Sequence, residues 1–131
     1  MRPEQPPLPS LFDLLGREEG LKAVVDRFYG LMAQDPAYMA LRAMHRRDLD
    51  AMKERLAEWL SGWLGGPPVY MTRPDATCIR HAHANLQIDE QMRDEWLHCM
   101  YRALDECTVP ASVQARLRPA LAAMAEFLRN H

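Results

Sequence analysis

The sequence predicts an all-α protein in which four long amphipathic helices form two antiparallel pairs. Apolar residues recur at helical spacing in four separate segments, and each segment is bounded by helix-capping or helix-breaking residues. No two neighbouring segments alternate apolar and polar residues as paired strands do. We therefore expect one helical domain in which the two helix pairs pack against each other.

Composition limits the classes of function. The chain has 131 residues, of which 48% are hydrophobic and 26% charged, as is typical of one globular domain. A formal charge of −2 without a lysine or arginine cluster argues against a nucleic-acid partner. No apolar run reaches membrane-spanning length and no secretory signal is visible, so we expect no membrane partner. Three cysteines, an odd number, fit a reducing compartment, and we expect a cytoplasmic monomer or homodimer.

The first 34 residues predict a tail followed by two helices. Residues 1–9 carry four prolines and indicate a flexible tail before a single domain at residues 10–131. Ser10 is suited to cap a short helix that reaches Leu15 and closes at Gly16. A long helix from residue 17 to about 34 follows, with the apolar stripe Leu21, Val24, Val25, Phe28, Tyr29 and Met32.

The middle of the chain predicts a second long helix and an extended loop. Asp35-Pro36 ends the first long helix, and an irregular or helical turn follows through His45. Asp48 can cap the next helix, whose stripe is Leu49, Met52, Leu56, Trp59, Leu60 and Trp63. Gly65-Gly66-Pro67-Pro68 stops that helix, and residues 65–76 show no regular pattern. A loop of this length in a small domain is usually functional or mobile.

The remaining sequence predicts one short and two long helices. A short helical segment over residues 77–84 carries two histidines, and Asp89 then opens a helix that ends near Cys107. Pro110 suits the first turn of the last helix. Pro119 predicts either a kink in that helix or two shorter helices.

His81 and His83 are the candidate metal ligands. Neutral imidazole binds iron, zinc or copper, and a single histidine often holds haem iron. From the residues alone either histidine qualifies, and both also fit a plain surface segment. A zinc site formed with Cys78 would lack a fourth ligand. The large apolar side chains and the long loop together permit a flat apolar cofactor between the helices.

Several pieces of the sequence, in order and at matching intervals, resemble one family. They are Arg27-Phe28-Tyr29, Ala43-Met44-His45 with Asp48-Leu49, Trp63-Leu64-Gly65-Gly66-Pro67, the histidine segment at 79–88, and Arg93-Asp94-Glu95-Trp96-Leu97-His98-Cys99-Met100. From residue 11 to 128 the chain resembles the truncated haemoglobins, specifically group II of the bacterial two-over-two globins. The resemblance implies a truncated globin-like two-over-two helical sandwich that holds a b-type haem without a covalent bond.

The resemblance also implies which histidine binds iron. In this group the ligand precedes the tryptophan of the Arg-Asp-x-Trp motif by thirteen residues and follows the first glycine of the Gly-Gly-Pro stop by eighteen. His83 meets both intervals to Trp96 and Gly65, whereas His81 misses both by two residues. We therefore expect His83 to be the proximal ligand and His81 to lie at the rim.

The other expected site residues follow from the same resemblance. Tyr29, Trp96 and His45 match the distal positions, where they would donate hydrogen bonds to an iron-bound ligand. Where the group commonly has a small residue, this chain has Met52, which we expect to gate ligand entry. Further cofactor contacts are expected from Leu56 over the haem face, Trp59 and Leu60 further in, and Tyr70 and Arg80 near the propionates.

Three functions remain open. The first is reversible binding of dioxygen and other diatomic ligands, nitric oxide and carbon monoxide among them, with oxygen transport or supply as one use. The second is redox catalysis, either nitric oxide dioxygenase-like or peroxidase-like with peroxide, which needs an unidentified reductase. The third is a cofactor-free helical interaction domain, because every apolar stripe can also be plain core.

Overall fold

The computed structural model describes residues 8–45 and 48–131, and their regular structure is entirely helical. Seven α-helices follow one another: α1 (Leu11–Leu15), α2 (Arg17–Gln34), α3 (Met39–Met44), α4 (Leu49–Trp63), α5 (Ile79–Ala82), α6 (Glu90–Glu106) and α7 (Ala111–Leu128). Two short 3-10 turns, Pro36–Tyr38 and Tyr70–Thr72, lie between them. The all-α prediction is confirmed. The predicted proline-rich tail falls mostly on residues 1–7, outside the described residues.

The helices begin where side chains satisfy their free backbone N–H groups. Ser10 and Asp13 form a reciprocal capping box at the start of α1. The carboxylates of Asp48 and Asp89 accept hydrogen bonds from the first turns of α4 and α6. These are the caps that the sequence predicts, and they explain why the predicted starts of α1, α4 and α6 agree with the structure.

The long helices pack as two layers. Helix α2 packs against both α4 and α6, and α6 packs against α7. The centre of the core is formed by side chains that are at most 2% exposed, among them Val25, Phe28, Met32, Met100 and Leu104. Full burial of each such side chain contributes about 1.5–3 kcal/mol. The predicted assembly of helix pairs is confirmed. One face of α4 and the segment around α5 lie at the edge of the core and are only partly covered by other helices.

The glycine turn after α4 brings α1 onto the end of that helix. Gly65 has a φ of +92°, a conformation that favours glycine. A Cβ atom on Gly66 would lie 2.5 Å from the Phe12 ring, so only glycine fits against that side chain. The Phe12 N–H donates to the Leu64 carbonyl at 3.0 Å. This turn therefore closes the core at the carboxyl end of α4.

Two expectations about the C-terminal half need correction. Helix α7 is continuous through Pro119, so the alternative of two shorter helices is wrong. Proline has no N–H to donate to the carbonyl of Ala115, four residues earlier. Both residues lie on the exposed side of the helix, where water can hydrogen-bond that carbonyl instead. Pro110 precedes α7 as its N-cap and does not lie within its first turn.

The segment after α4 is more ordered than its sequence suggests. It contains the Tyr70–Thr72 turn, and Arg73 forms an ion pair with Glu58 of α4. Arg55 of α4 likewise donates to Asp75 at 2.8 Å. These ion pairs hold the segment against α4. Across residues 8–45 and 48–131, no helix combines the length and apolarity needed to cross a membrane.

Candidate functional site

His83 has the hydrogen bond expected of the predicted iron ligand. It follows α5 directly, and its Nδ1 atom lies 2.7 Å from the carbonyl oxygen of Ile79. A carbonyl only accepts, so Nδ1 carries the proton of this hydrogen bond, which leaves Nε2 as the ring nitrogen available to a metal. Donation from the second ring nitrogen to a carbonyl is the usual support of a metal-bound histidine.

His81 lies in a different environment. Its side chain is exposed, and its backbone N–H contacts the Cys78 sulfur at 3.4 Å. A cavity of about 340 Å³ borders it, lined by Arg80, His81, Ala84, Leu128 and Asn130. Among the described residues no three His, Cys, Asp or Glu side chains come together as a metal site, so the zinc alternative lacks structural support.

Tyr29 places a hydroxyl inside the protein. The residue is 3% exposed, and its ring contacts Phe28 edge-on with centroids 5.0 Å apart. Burial raises the pKa of Tyr29, and no hydrogen bond to a described residue contributes to that shift. The hydroxyl therefore keeps its proton and can donate a hydrogen bond to a bound ligand.

His45 lies against Tyr29 at the end of α3. The two ring centroids are 5.8 Å apart with the planes at 83°, and His45 Nδ1 is 2.8 Å from the Leu41 carbonyl oxygen. Burial lowers the pKa of His45 below its usual 6.5, and the positive charge of Arg42 lowers it further, against the Leu41 hydrogen bond. His45 is therefore neutral at pH 7, with its proton on Nδ1.

Trp96 and Tyr29 meet through a residue that the sequence analysis did not single out. The half-buried Trp96 ring lies 5.4 Å from the Phe28 ring at 64°. Phe28 is fully buried and contacts both Tyr29 and Trp96, so it sets the separation of the two side chains that are predicted to be distal. Its place in the stripe of α2 was the available signal, but that pattern predicts burial without naming the neighbours.

The face of α4 beside the core is apolar and partly uncovered. Met52, Leu56 and Trp59 are half-buried and pack against the edge of the core. Trp59 stacks on Trp63, with centroids 5.6 Å apart and planes at 22°. Leu60 differs from these residues because it is 3% exposed and belongs to the core itself.

Tyr70 lies in the turn before α5, and Arg80 lies within α5. The Arg80 guanidinium sits 5.0 Å above the ring of Phe127, a half-exposed residue of α7 that the sequence analysis did not identify. The Tyr70 hydroxyl donates to the Thr77 carbonyl at 3.5 Å. The two side chains are therefore held by separate partners.

Comparison with known proteins supports one family. The family model described as bacterial-like globin matches residues 10–130. A cold-adapted truncated haemoglobin from the Antarctic marine bacterium Pseudoalteromonas haloplanktis TAC125 is 32% identical, with a TM-score of 0.88 over 94% of this chain and 99% of that one. A group II 2-on-2 haemoglobin from Agrobacterium tumefaciens is 31% identical, with a TM-score of 0.88 over 97% and 98%. The group 2 truncated haemoglobin YjbI of Bacillus subtilis (strain 168) is 29% identical over 113 residues, 86% of this chain and 83% of that protein.

The match extends from sequence to architecture. It spans nearly all the described helices, and the two-over-two arrangement predicted from the resemblance is confirmed. Because the family model and group II structures agree, the membership does not depend on any one relative. The chain therefore belongs to the bacterial-like globins, and within them to the group II truncated haemoglobins, a family that binds dioxygen and related gases through haem.

Proposed function

We propose that residues 10–131 form one domain that binds haem b through His83 and holds dioxygen with slow release. The observation that carries the proposal is the state of the His83 ring. Its Nδ1–H donates to the Ile79 carbonyl, which leaves the Nε2 lone pair for iron. In a neutral histidine this arrangement also increases the basicity of the ligand.

The residues around His83 fit a haem. Met52, Leu56 and Trp59 offer an apolar, partly uncovered helix face that a flat macrocycle would cover. Arg80 and Tyr70 are suited to the propionates, because a guanidinium and a hydroxyl both hydrogen-bond carboxylates. When bound, haem supplies an iron that binds diatomic ligands, and bound dioxygen carries partial negative charge.

Two donors are suited to stabilise that charge. The buried Tyr29 hydroxyl remains protonated, and the Trp96 indole N–H can only donate. Donors fixed before the ligand arrives stabilise developing negative charge without reorganisation. Phe28 keeps both side chains at a set separation, so we expect them to act on the same ligand.

His45 has a different role at neutral pH. Its single proton is directed to the Leu41 carbonyl, so Nε2 is an acceptor and not a donor. We propose that Nε2 accepts from bound water, and that His45 becomes the third distal donor only when protonated. This refines the expectation that all three distal residues donate.

Slow oxygen release favours redox use over transport. A ligand held by two donors dissociates slowly, which suits reaction of the bound oxygen with nitric oxide better than oxygen supply. A reductase would have to return the iron to the ferrous state. We expect Met52, which lies half-buried on α4, to restrict ligand entry. Fast oxygen dissociation, together with no nitrate formed from nitric oxide, would contradict this use. Turnover of peroxide tests the peroxidase-like alternative. Carbon monoxide serves as an unreactive probe ligand.

A visible spectrum tests haem binding directly. The protein is produced with haem available, alongside His83→Ala and, as a matched control, His81→Ala. We expect a Soret band in the wild type and the control, and a shifted or lost band in His83→Ala. A missing band in the wild type would favour the cofactor-free interaction domain, whereas an unchanged band in His83→Ala would remove the ligand assignment.

A further inference from the structure

Glu95 precedes Trp96 in the sequence of α6, and its carboxylate contacts α3. Glu95 Oε1 accepts a hydrogen bond from the Leu41 N–H at 3.0 Å. Leu41 lies in the first turn of α3, where backbone N–H groups have no carbonyl partner within the helix. Glu95 thus caps α3 from another helix, 54 residues away in sequence.

The same residue of α3 holds His45. The Leu41 carbonyl accepts from His45 Nδ1 at 2.8 Å, so the N–H and C=O groups of Leu41 bond to Glu95 and His45 respectively. Leu41 is 3% exposed, and both hydrogen bonds are partly buried. Partial burial strengthens a hydrogen bond relative to one in water. A continuous chain of contacts therefore runs from α6 through Leu41 to the imidazole beside Tyr29.

The rest of the α3 segment is anchored to α6 by separate contacts. The Tyr38 hydroxyl lies 2.8 Å from His98 Nδ1, and Arg102 donates to Asp35 at 2.6 Å. These contacts hold the residues before α3 and do not involve Glu95. Loss of the Glu95 carboxylate would therefore loosen Leu41 and His45 without detaching the whole segment.

We propose that Glu95 is a positioning residue that fixes His45, through Leu41, in the Nδ1–H tautomer beside Tyr29. Glu95 does not touch the ligand. Because it is adjacent to Trp96 on α6, it places His45 relative to the same helix that carries the second distal donor. The effect on ligand binding rests on the proposed distal role of His45, whereas the positioning of the ring does not.

The first test follows the His45 ring nitrogens by NMR in the ferrous carbon monoxide form, which is diamagnetic. Glu95→Met removes the acceptor, Glu95→Gln keeps an acceptor oxygen, and Asp94→Ala removes a neighbouring charge that does not contact α3. We expect wild type, Glu95→Gln and Asp94→Ala to show one Nδ1–H tautomer. In Glu95→Met the Nδ1 proton should exchange roughly three- to tenfold faster, the equivalent of one lost net hydrogen bond.

A wild-type ring spectrum in Glu95→Met, or an equal change in Glu95→Gln or Asp94→Ala, would overturn the proposal. The second readout is the C–O stretching frequency of the same complexes, with His45→Phe as reference. We expect Glu95→Met to shift it in the direction of His45→Phe, and Glu95→Gln to leave it in place. If His45→Phe itself causes no shift, the distal role of His45 fails, and the NMR comparison still decides the part played by Glu95.

Discussion

We expect the slow oxygen release proposed above to depend most on the hydroxyl of Tyr29. It is buried and protonated, and Tyr29→Phe removes the donor while it leaves the ring packing against Phe28. A hydrogen bond to a charged group is worth about 1.5–3 kcal/mol, so we expect the oxygen dissociation rate to rise roughly tenfold to more than a hundredfold. Stopped-flow displacement of oxygen measures this rate.

A matched control for that variant is Tyr101→Phe. The Tyr101 hydroxyl donates to the Arg118 carbonyl at 3.1 Å, between α6 and α7. Its removal deletes one tyrosine hydroxyl outside the distal site, and the dissociation rate should stay at the wild-type value. An unchanged rate in Tyr29→Phe would show that Tyr29 does not contact the bound oxygen.

His45 links stability to pH. Burial, with the Arg42 charge nearby, lowers its pKa below the ordinary 6.5, so the unfolded chain binds a proton more readily than the folded chain. Its contribution to stability is therefore complete above about pH 6.5 and is lost as the pH falls through that value towards the folded pKa.

We therefore expect the Tm of the wild type to fall more steeply than that of His45→Phe between about pH 7 and about pH 5. The difference between the two melting curves isolates His45 from the other titrating groups. A difference in Tm that is constant over this range would contradict the depressed pKa.

At the scale of helices, the sequence predicted most of the architecture because local signals determine it. Apolar stripes located α2, α4, α6 and α7, and capping aspartates located two of their starts. The continuity of α7 through Pro119 was not predictable, because it depends on which side of the helix the packed protein leaves to water. The Glu95–Leu41 hydrogen bond is equally invisible, since it joins residues 54 positions apart.

The glycine turn after α4 gives a prediction about how that helix ends. Gly66→Ala would place a methyl group against the Phe12 ring, and overpacking of this kind costs about 1–3 kcal/mol. Gly30→Ala, within α2, meets no atom within 4 Å and should instead stabilise by about 0.5–1 kcal/mol. Thermal or urea unfolding of the two variants should move in opposite directions, and equal shifts would show that Phe12 does not pack against this turn.

At the scale of the whole molecule, haem binding should stabilise the fold. The apolar face of α4 is only half covered by protein, so a macrocycle would bury surface that the chain leaves exposed. A ligand that binds only the folded state at a hundred times its Kd stabilises by about 2.7 kcal/mol. We expect haem to raise the Tm of the wild type and of His81→Ala, and to raise that of His83→Ala much less. An equal rise in all three would mean that His83 does not hold the iron.

The stacked Trp59–Trp63 pair has an optical consequence. The chain contains three tryptophans, and the third is Trp96, so all of them lie on α4 and α6, the helices that we propose border the haem. Excited indole transfers its energy efficiently to haem over the dimensions of a 15.1 kDa protein. Haem binding should therefore quench the intrinsic tryptophan fluorescence of the chain. The fraction of protein that holds haem can then be measured from this fluorescence without an added label.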